Sequence, residues 1–372
     1  MFARLMAMSS SPTSLRSFAS DNFAGVHPAV MENLQAANLG HAIAYGGDVF
    51  TDEAAHQFER IFGVGTQAFF VFGGTGGNVF ALSSLCGPGD AVLCSQWSHL
   101  HIDETGAPER AGIKLLAVPS TDAKVTTKDI ERVAGDIGVM HHAQPRVVSL
   151  TQPTELGTLY TAQEIEQLCL CAHEHGLLVH MDGARIANAT AALGGISSLR
   201  KFTVDAGVDV LTFGGTKNGL MYGEAVLYFP QGAARAHSYK DFSQENAQRA
   251  LRYAPYARKQ TTQLPSKMRF VSAQFAAVLN NDLWVTLGAS ANDAAASLFD
   301  AVKSIHSLEL TESPAVNSLY PTISPAHAEQ LREVSFFWDW EPARNRVRWM
   351  TSWDTEPSDV KAFAEAIYQI VT

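Results

Sequence analysis

This 372-residue chain predicts an α/β fold, with a mostly parallel sheet covered on both faces and a smaller α+β domain behind it. Two observations carry that expectation. From about residue 50 to residue 230, short continuous apolar runs alternate with amphipathic stretches, and strands buried on both faces read as such runs. After residue 230 the pattern changes to Ala-rich helical stretches and a few short strand-like segments.

The elements follow in order. Ala68–Phe72 reads as the first strand and Gly77–Cys86 as the helix after it. Ala91–Cys94, Ile113–Val118, Arg146–Leu150, Leu177–Met181 and Val208–Phe213 read as further buried strands, and Tyr222–Phe229 as the seventh. Thr161–His175 is the clearest helix, because Ile165, Leu168 and Cys169 recur at helical spacing. Beyond them, Gln231–Arg252 and Ser266–His306 read as helical. Leu308–Thr311, Glu333–Trp338 and Arg346–Ser352 read as short strands, Ser313–Pro325 as a loop, and Pro357–Val371 as a closing helix. The expected division is an N-terminal arm over residues 1–17, a large domain over 18–250 and a small domain over 251–372.

Composition narrows the function. With 27 Lys+Arg against 37 Asp+Glu the net charge is −10, which argues against a general nucleic-acid binder. Charged residues make up only 17%, so much surface is expected to be hidden between subunits. The uncharged stretch Ile61–Gly89 raises the membrane question, but its glycines and Pro88 make it no transmembrane helix. The first twenty residues lack the apolar core of a secretory signal; they read as a frayed arm, with a transit peptide as the alternative. Four cysteines in so long a chain suggest a reducing, cytoplasmic compartment, and none has zinc-site spacing with a histidine.

Three segments carry chemistry. Phe72-Gly-Gly-Thr-Gly-Gly-Asn78 places four glycines between a strand and a helix, where backbone N–H groups face an anion; a bare tight turn is the alternative. Val179-His-Met-Asp-Gly-Ala-Arg185 puts Asp182 at the end of an apolar strand, where ligands of open α/β sheets collect, although Asp-Gly is also an ordinary turn pair. Leu211-Thr-Phe-Gly-Gly-Thr-Lys-Asn-Gly219 puts Lys217 just beyond another strand, where a lone lysine is usually solvated. One cofactor makes sense of all three. Pyridoxal 5′-phosphate needs an anion cradle, a lysine for its aldehyde and a carboxylate at its pyridine nitrogen.

Taken together, Ser20-Asp-Asn22, Ala44-Tyr-Gly-Gly-Asp48, Gly73-Gly-Thr-Gly-Gly-Asn78, Ser98-His99, His180-Met-Asp-Gly-Ala-Arg185 and Phe213-Gly-Gly-Thr-Lys-Asn-Gly219 resemble the low-specificity L-threonine aldolases. The lysine motif is similar to the Pseudomonas-type branch, where L-phenylserine aldolases also occur. The resemblance implies an aspartate-aminotransferase-like fold, fold type I of the pyridoxal-phosphate enzymes, with a seven-stranded sheet. It implies reversible aldol cleavage of L-β-hydroxy-α-amino acids to glycine and an aldehyde.

Residue by residue, the resemblance implies that Lys217 binds the cofactor aldehyde, Asp182 pairs with the pyridine nitrogen and Arg185 with the phenolic oxygen. Gly74, Thr75 and Gly76 would hold the phosphate, and His99 would stack on the ring near the substrate hydroxyl. Arg348, with Ser20 beside it, would grip the substrate carboxylate; Arg346 on the same strand face is the alternative. An Arg185–Asp182 pair and a satisfied buried His99 remain as bland readings. Tyr45 and the Arg258–Arg269 stretch resemble segments that reach a neighbouring subunit's cofactor, which implies a homo-oligomer, a tetramer as a dimer of dimers. One departure stands out. Other branches carry a second histidine in the loop Leu150-Thr-Gln-Pro-Thr-Glu155, where a Gln stands here, so the hydroxyl base is His99, a water held by it, or Glu104. An aminotransferase or a β-eliminating lyase would share this lysine and aspartate. From another class, a scaffold that has lost activity is the competitor; the complete cofactor set argues against it.

Overall fold

The computed structural model describes residues 16–230, 241–310 and 312–372. Of the expected arm, residues 1–15 therefore lie outside the described residues, as do residues 231–240 of the helical stretch expected from Gln231.

The sheet strands are β1 (Gln67–Val71), β2 (Asp90–Ser95), β3 (Lys114–Val118), β4 (Gln144–Thr151), β5 (Leu178–Gly183), β6 (Val210–Gly214) and β7 (Glu224–Tyr228). They form one seven-stranded sheet in the order β1-β7-β6-β5-β4-β2-β3. The pairs from β3 across to β6 are parallel, while β7 runs antiparallel to both β6 and β1. The expected alternation and mostly parallel sheet are both present. Because β7 is reversed, Glu224 at its start lies level with Gly214 and Val71 at the ends of β6 and β1. One edge of the sheet thus collects the carboxyl ends of six strands.

Helices α1 (Pro28–Ala37), α2 (Val49–Phe62), α3 (Gly74–Leu85), α4 (Thr127–Ala134), α5 (Ala162–Glu174) and α6 (Ile186–Ala192) belong to this half of the chain. Beyond it come α7 (Asp241–Gln260), α8 (Arg269–Leu279), α9 (Leu283–Val302), α10 (Pro325–Val334) and α11 (Pro357–Val371). Their starts follow local chemistry. Asp48 caps α2 by accepting from Thr51 N (2.9 Å), and Thr161 with Glu164 closes a reciprocal capping box on α5.

The sheet is covered on both sides, as continuous apolar strands demand. Phe70 and Val71, neighbours on β1, enter different cores. Phe70 joins Phe58, Phe62, Phe213, Phe275 and Trp284 under α2, α8 and the start of α9. Val71 joins Phe80, Leu82, Ala250 and Ala254 beneath α3 and α7. A further core gathers the later half of α9 with Leu331, Phe337, Trp349 and Phe363, and Phe18 enters it by stacking on Phe363 at 4.4 Å.

The second sheet differs from expectation in detail. It consists of β8 (Ser318–Leu319), β9 (Trp338–Glu341) and β10 (Arg346–Met350), in the order β8-β10-β9. Of the strand expected at Leu308–Thr311, Leu308 instead ends a 3-10 turn over His306–Leu308 and Glu309 stands at φ 44°, while Thr311 lies outside the described residues. β8 falls inside the segment read as a loop. Glu333 belongs to α10, because Ser324 caps that helix and Pro325 starts it, so β9 begins only at Trp338.

Candidate active site

The strand ends bring the three motifs to one place. Reading across the sheet, the glycine segment follows β1, Lys217 follows β6, Asp182 lies on β5, Thr151 ends β4 and His99 follows β2. Close backbone approach makes this possible at Gly214. A Cβ there would sit 2.3 Å from the carbonyl oxygen of Ala184, so only glycine lets the Lys217 turn pack on the Asp-Gly-Ala-Arg turn.

Asp182 is buried, and its partners keep it charged. The Asn78 amide donates to Oδ2 (2.8 Å) and Ala184 N–H to Oδ1 (2.9 Å). Burial alone would raise its carboxyl; nearby His99 and these hydrogen bonds outweigh that and hold it below the usual carboxylate range. Two residues earlier, His180 is locked between Ser149 (2.9 Å) and Thr212 (3.0 Å), and burial lowers it to about 4. It is a neutral strut.

Lys217 sits near Arg185, Asp21, Asp182 and Glu224. Burial first, and the Arg185 cation second, push its ammonium below the ordinary lysine value, which favours the nucleophilic free amine. Glu224 accepts from Gly215 N–H (2.6 Å) and so anchors the turn before Lys217; burial raises its carboxyl to about 7.

Helix α3 begins at this edge with Gly73 as its cap, and no side chain covers its first N–H groups. A Cβ on Gly73 or Gly74 would meet nothing within 4 Å. This is an open anion cradle of the kind a helix N-terminus provides. Thr75 is exposed beside it, whereas Gly76 lies under Gln263, whose Oε1 accepts from Phe72 N–H (3.1 Å). Sequence reasoning missed Gln263 because only the turn after α7 brings it there.

Arg185 does not pair with Asp182. Its guanidinium grips Asp21 through Nε and Nη2, at 2.5 and 2.9 Å, and Asp21 also accepts from Asn317 (3.2 Å). The Ser20–Phe23 segment arrives here because Phe18 is held by β10, where its carbonyl accepts from Met350 N–H (2.8 Å). Ser20 is buried and caps the short turn at Asn22 N–H (3.2 Å).

The two arginines of β10 separate clearly. Arg346 is committed to Glu341 (2.9 Å) and the Tyr320 carbonyl (3.2 Å). Arg348 lies over the Trp340 ring at 5.0 Å, donates only a long bond to the Ala19 carbonyl (3.3 Å), and leaves its buried Nε without a partner. A desolvated guanidinium with unused donors is chemically suited to a carboxylate.

His99 Nδ1 meets Glu104 Oε1 at 3.0 Å, and the same oxygen accepts from Asn78 (3.0 Å). That hydrogen bond raises the His99 pKa above its ordinary value, so the ring holds its proton more tightly. In the loop after β4, Gln152 is wholly buried and spends its amide on the Tyr160 backbone, donating at 2.9 Å and accepting at 3.0 Å. The side chain this loop presents to His99 is Glu155, whose Oε1 accepts from His99 N–H (2.8 Å) and Thr151 Oγ1 (2.9 Å). Tyr320, directly after β8, donates to the Glu155 carbonyl (2.8 Å). Sequence reading missed Glu155 and Tyr320; a buried acid in a strand-end loop was the only available signal.

The Beta-eliminating lyase family pattern matches residues 17–322, most of the chain. The chain belongs to the β-eliminating lyase family. A low-specificity L-threonine aldolase of Pseudomonas sp. (strain NCIMB 10558) is 38% identical over 357 residues, covering 95% of this chain and 98% of the relative. Another, from Pseudomonas aeruginosa, is 38% identical and covers 94% and 96%. Among solved structures, the threonine aldolase of Leishmania major superposes with a TM-score of 0.86 at 28% identity, covering 96% of this chain and 99% of that one. The serine palmitoyltransferase of Sphingomonas wittichii, at 14% identity and a TM-score of 0.66, shares the fold; its matched chain is covered to 87% and this one to 96%. The fold of this family member is fold type I of the pyridoxal-phosphate enzymes.

Pyridoxal phosphate is the cofactor, and the described residues fit it. An uncapped helix start suits its anion, a buried lysine held below its ordinary pKa suits its aldehyde, and a buried, ionised aspartate suits its ring nitrogen. No helix among the described residues is long and apolar enough to cross a membrane.

Proposed function

We propose that this carbon–carbon lyase cleaves L-β-hydroxy-α-amino acids of the threonine, allo-threonine and phenylserine type, reversibly, to glycine and an aldehyde. The single observation that carries this reading is the convergence of Lys217, Asp182 and the uncapped start of α3 with an unsatisfied Arg348 at one sheet edge.

When bound, pyridoxal phosphate supplies an electron sink for the bond that breaks at Cα. The chain's residues do the rest. Gly74, Thr75 and Gly76 offer backbone N–H groups to the phosphate, and Lys217 supplies the amine for the aldehyde. Asp182 would keep a proton on the ring nitrogen, Arg185 would hold the phenolic oxygen, and His99 would stack on the ring. Arg348, with Ser20 nearby, binds the substrate carboxylate, which fixes rotation about Cα and thereby selects the bond that breaks. Aldehyde release from threonine, allo-threonine, phenylserine and serine tests the reading. An oxo acid as product would favour an aminotransferase or β-eliminating reaction on the same residues.

Arg348→Ala is expected to lower kcat/KM about a hundredfold, since a charge-assisted bidentate contact in a desolvated site is worth roughly 3 kcal/mol. Arg348→Lys does not restore it, because an ammonium cannot hold both oxygens in a plane. Cofactor content stays normal. A crippled Arg346→Ala beside a normal Arg348→Ala would exchange their roles.

The proposal includes a homo-oligomer, as a dimer of dimers. What supports it is a short run of chain rich in exposed apolar side chains, Leu39, Ile43, Tyr45 and Val49, with Tyr45 held at φ 62° beneath the Lys259 ammonium. Arg269 joins the same segment by donating to the Gly40 carbonyl (3.2 Å). Sedimentation is expected to give a multiple of 40.2 kDa; an active 40.2 kDa species would refute the assembly. A cytoplasmic location is proposed from the cysteines, none of which is in a disulfide.

A further inference from the structure

The protein must still remove the β-hydroxyl proton of its substrate, and the loop after β4 holds an acid no other role explains. Glu155 spends Oε1 on the His99 backbone N–H and Thr151 Oγ1, while Oε2 is buried with no partner among the described residues. A buried carboxylate oxygen left without a donor calls for one, and a substrate hydroxyl is such a donor. Tyr320, which bonds the Glu155 carbonyl, also feels the charge of Arg348. A substrate gripped by Arg348 is therefore brought to the same side as Glu155.

Two other groups are worse placed. Glu104 also leaves a buried Oε2 without a partner, but its side chain is wholly buried and its Oε1 is held by the His99 ring and by the Asn78 amide that also binds Asp182. His99 is held toward its protonated form by that bond and has no lone pair to offer once protonated.

We propose that Glu155 is the catalytic base that accepts the β-hydroxyl proton. This rests on the aldol-cleavage reading above. As the Cα–Cβ bond breaks, its electron pair stays on Cα and the O–H pair becomes the second bond of the aldehyde carbonyl. The proton goes to Glu155 Oε2. Glu155 returns it to solvent and a proton is later added at Cα, so each turnover conserves protons.

The surroundings set the pH range. Facing Glu155 are Asp182 on β5, Cys94 on β2, His99 after β2, Tyr160 before α5 and Tyr320 near β8. Burial first, with Asp182 adding to it, raises the Glu155 carboxyl to about 7. A base must be ionised, so cleavage rises with pH through that region and falls away below it.

The experiment compares the wild-type holoenzyme with Glu155→Gln and Glu155→Asp. It follows acetaldehyde release from threonine against pH, and exchange of the glycine Cα hydrogen in deuterium oxide, which involves no hydroxyl. Glu155→Gln is expected to cut cleavage kcat by about a hundredfold or more and to abolish the acid limb, while glycine exchange and cofactor content stay near wild type. Glu155→Asp keeps a carboxylate and keeps the limb at a reduced rate. Wild-type cleavage with the same limb in Glu155→Gln would overturn the proposal. So would loss of glycine exchange in step with cleavage. A wild-type enzyme that exchanges glycine but releases no aldehyde would overturn the aldolase reading itself.

Discussion

Lys217→Ala is expected to lose its bound yellow cofactor and to cleave no threonine above background. A fall of about four orders of magnitude or more is the scale for removing a covalent-catalysis residue. The fold should survive, because the turn is held by its neighbours. Asn218 donates from its side chain to the Trp284 carbonyl (2.9 Å) and from its backbone to Gly215 (2.9 Å), and Gly215 donates to Glu224. Removing the lysine also removes a cation that burial and Arg185 disfavour. Turnover, absorbance and melting temperature together decide the point. A colourless, well-folded, inactive protein is expected; a yellow variant with ordinary turnover would remove Lys217 from the chemistry.

Asp182→Asn is the other large effect. The amide is nearly the same shape and can still accept from Ala184 N–H, so the fold and much of the cofactor should be retained. What disappears is a buried negative charge whose partner would be the protonated ring nitrogen. Breaking a buried pair costs about 3–5 kcal/mol, which lowers kcat by roughly two to nearly four orders of magnitude. Because the carboxyl titrates below its usual range, the wild-type residue is ionised throughout neutral pH, and raising the pH cannot rescue the amide. Steady-state kcat beside cofactor content checks this. Near-normal kcat would mean that the ring nitrogen needs no carboxylate here.

Much of the large sheet was legible because strands covered on both faces are mostly apolar, and Val147–Leu150 or Val210–Phe213, broken only by the Ser149 and Thr212 that hold His180, can be little else. The second sheet was harder. β8 is two residues long and lies between turns, too short to show alternation, and its only support is pairing with β10. Leu308 looked like a strand residue because it is apolar; it is buried at the end of a 3-10 turn instead.

The site divides along the same line. Asp182 and Lys217 stand in strand-end motifs whose neighbours fix them locally. Asp21 lies 164 residues from the Arg185 that it grips, and Tyr320 lies 165 from the Glu155 carbonyl it bonds. No local pattern announces such partners. The loop after β4 shows how a residue can mislead: Gln152 occupied the motif, but its amide turns inward to Tyr160, and the acid three positions on reaches His99.

The central claim is that the strand-end motifs assemble around one cofactor joined to Lys217, and borohydride tests it most directly. Reduction turns the cofactor–lysine linkage into a stable amine, which survives digestion and can be located by mass. The account predicts a pyridoxyl label confined to the peptide that contains Phe213-Gly-Gly-Thr-Lys-Asn-Gly219, with cleavage activity lost in proportion to labelling. A label on another lysine, or full activity after complete reduction, would contradict it.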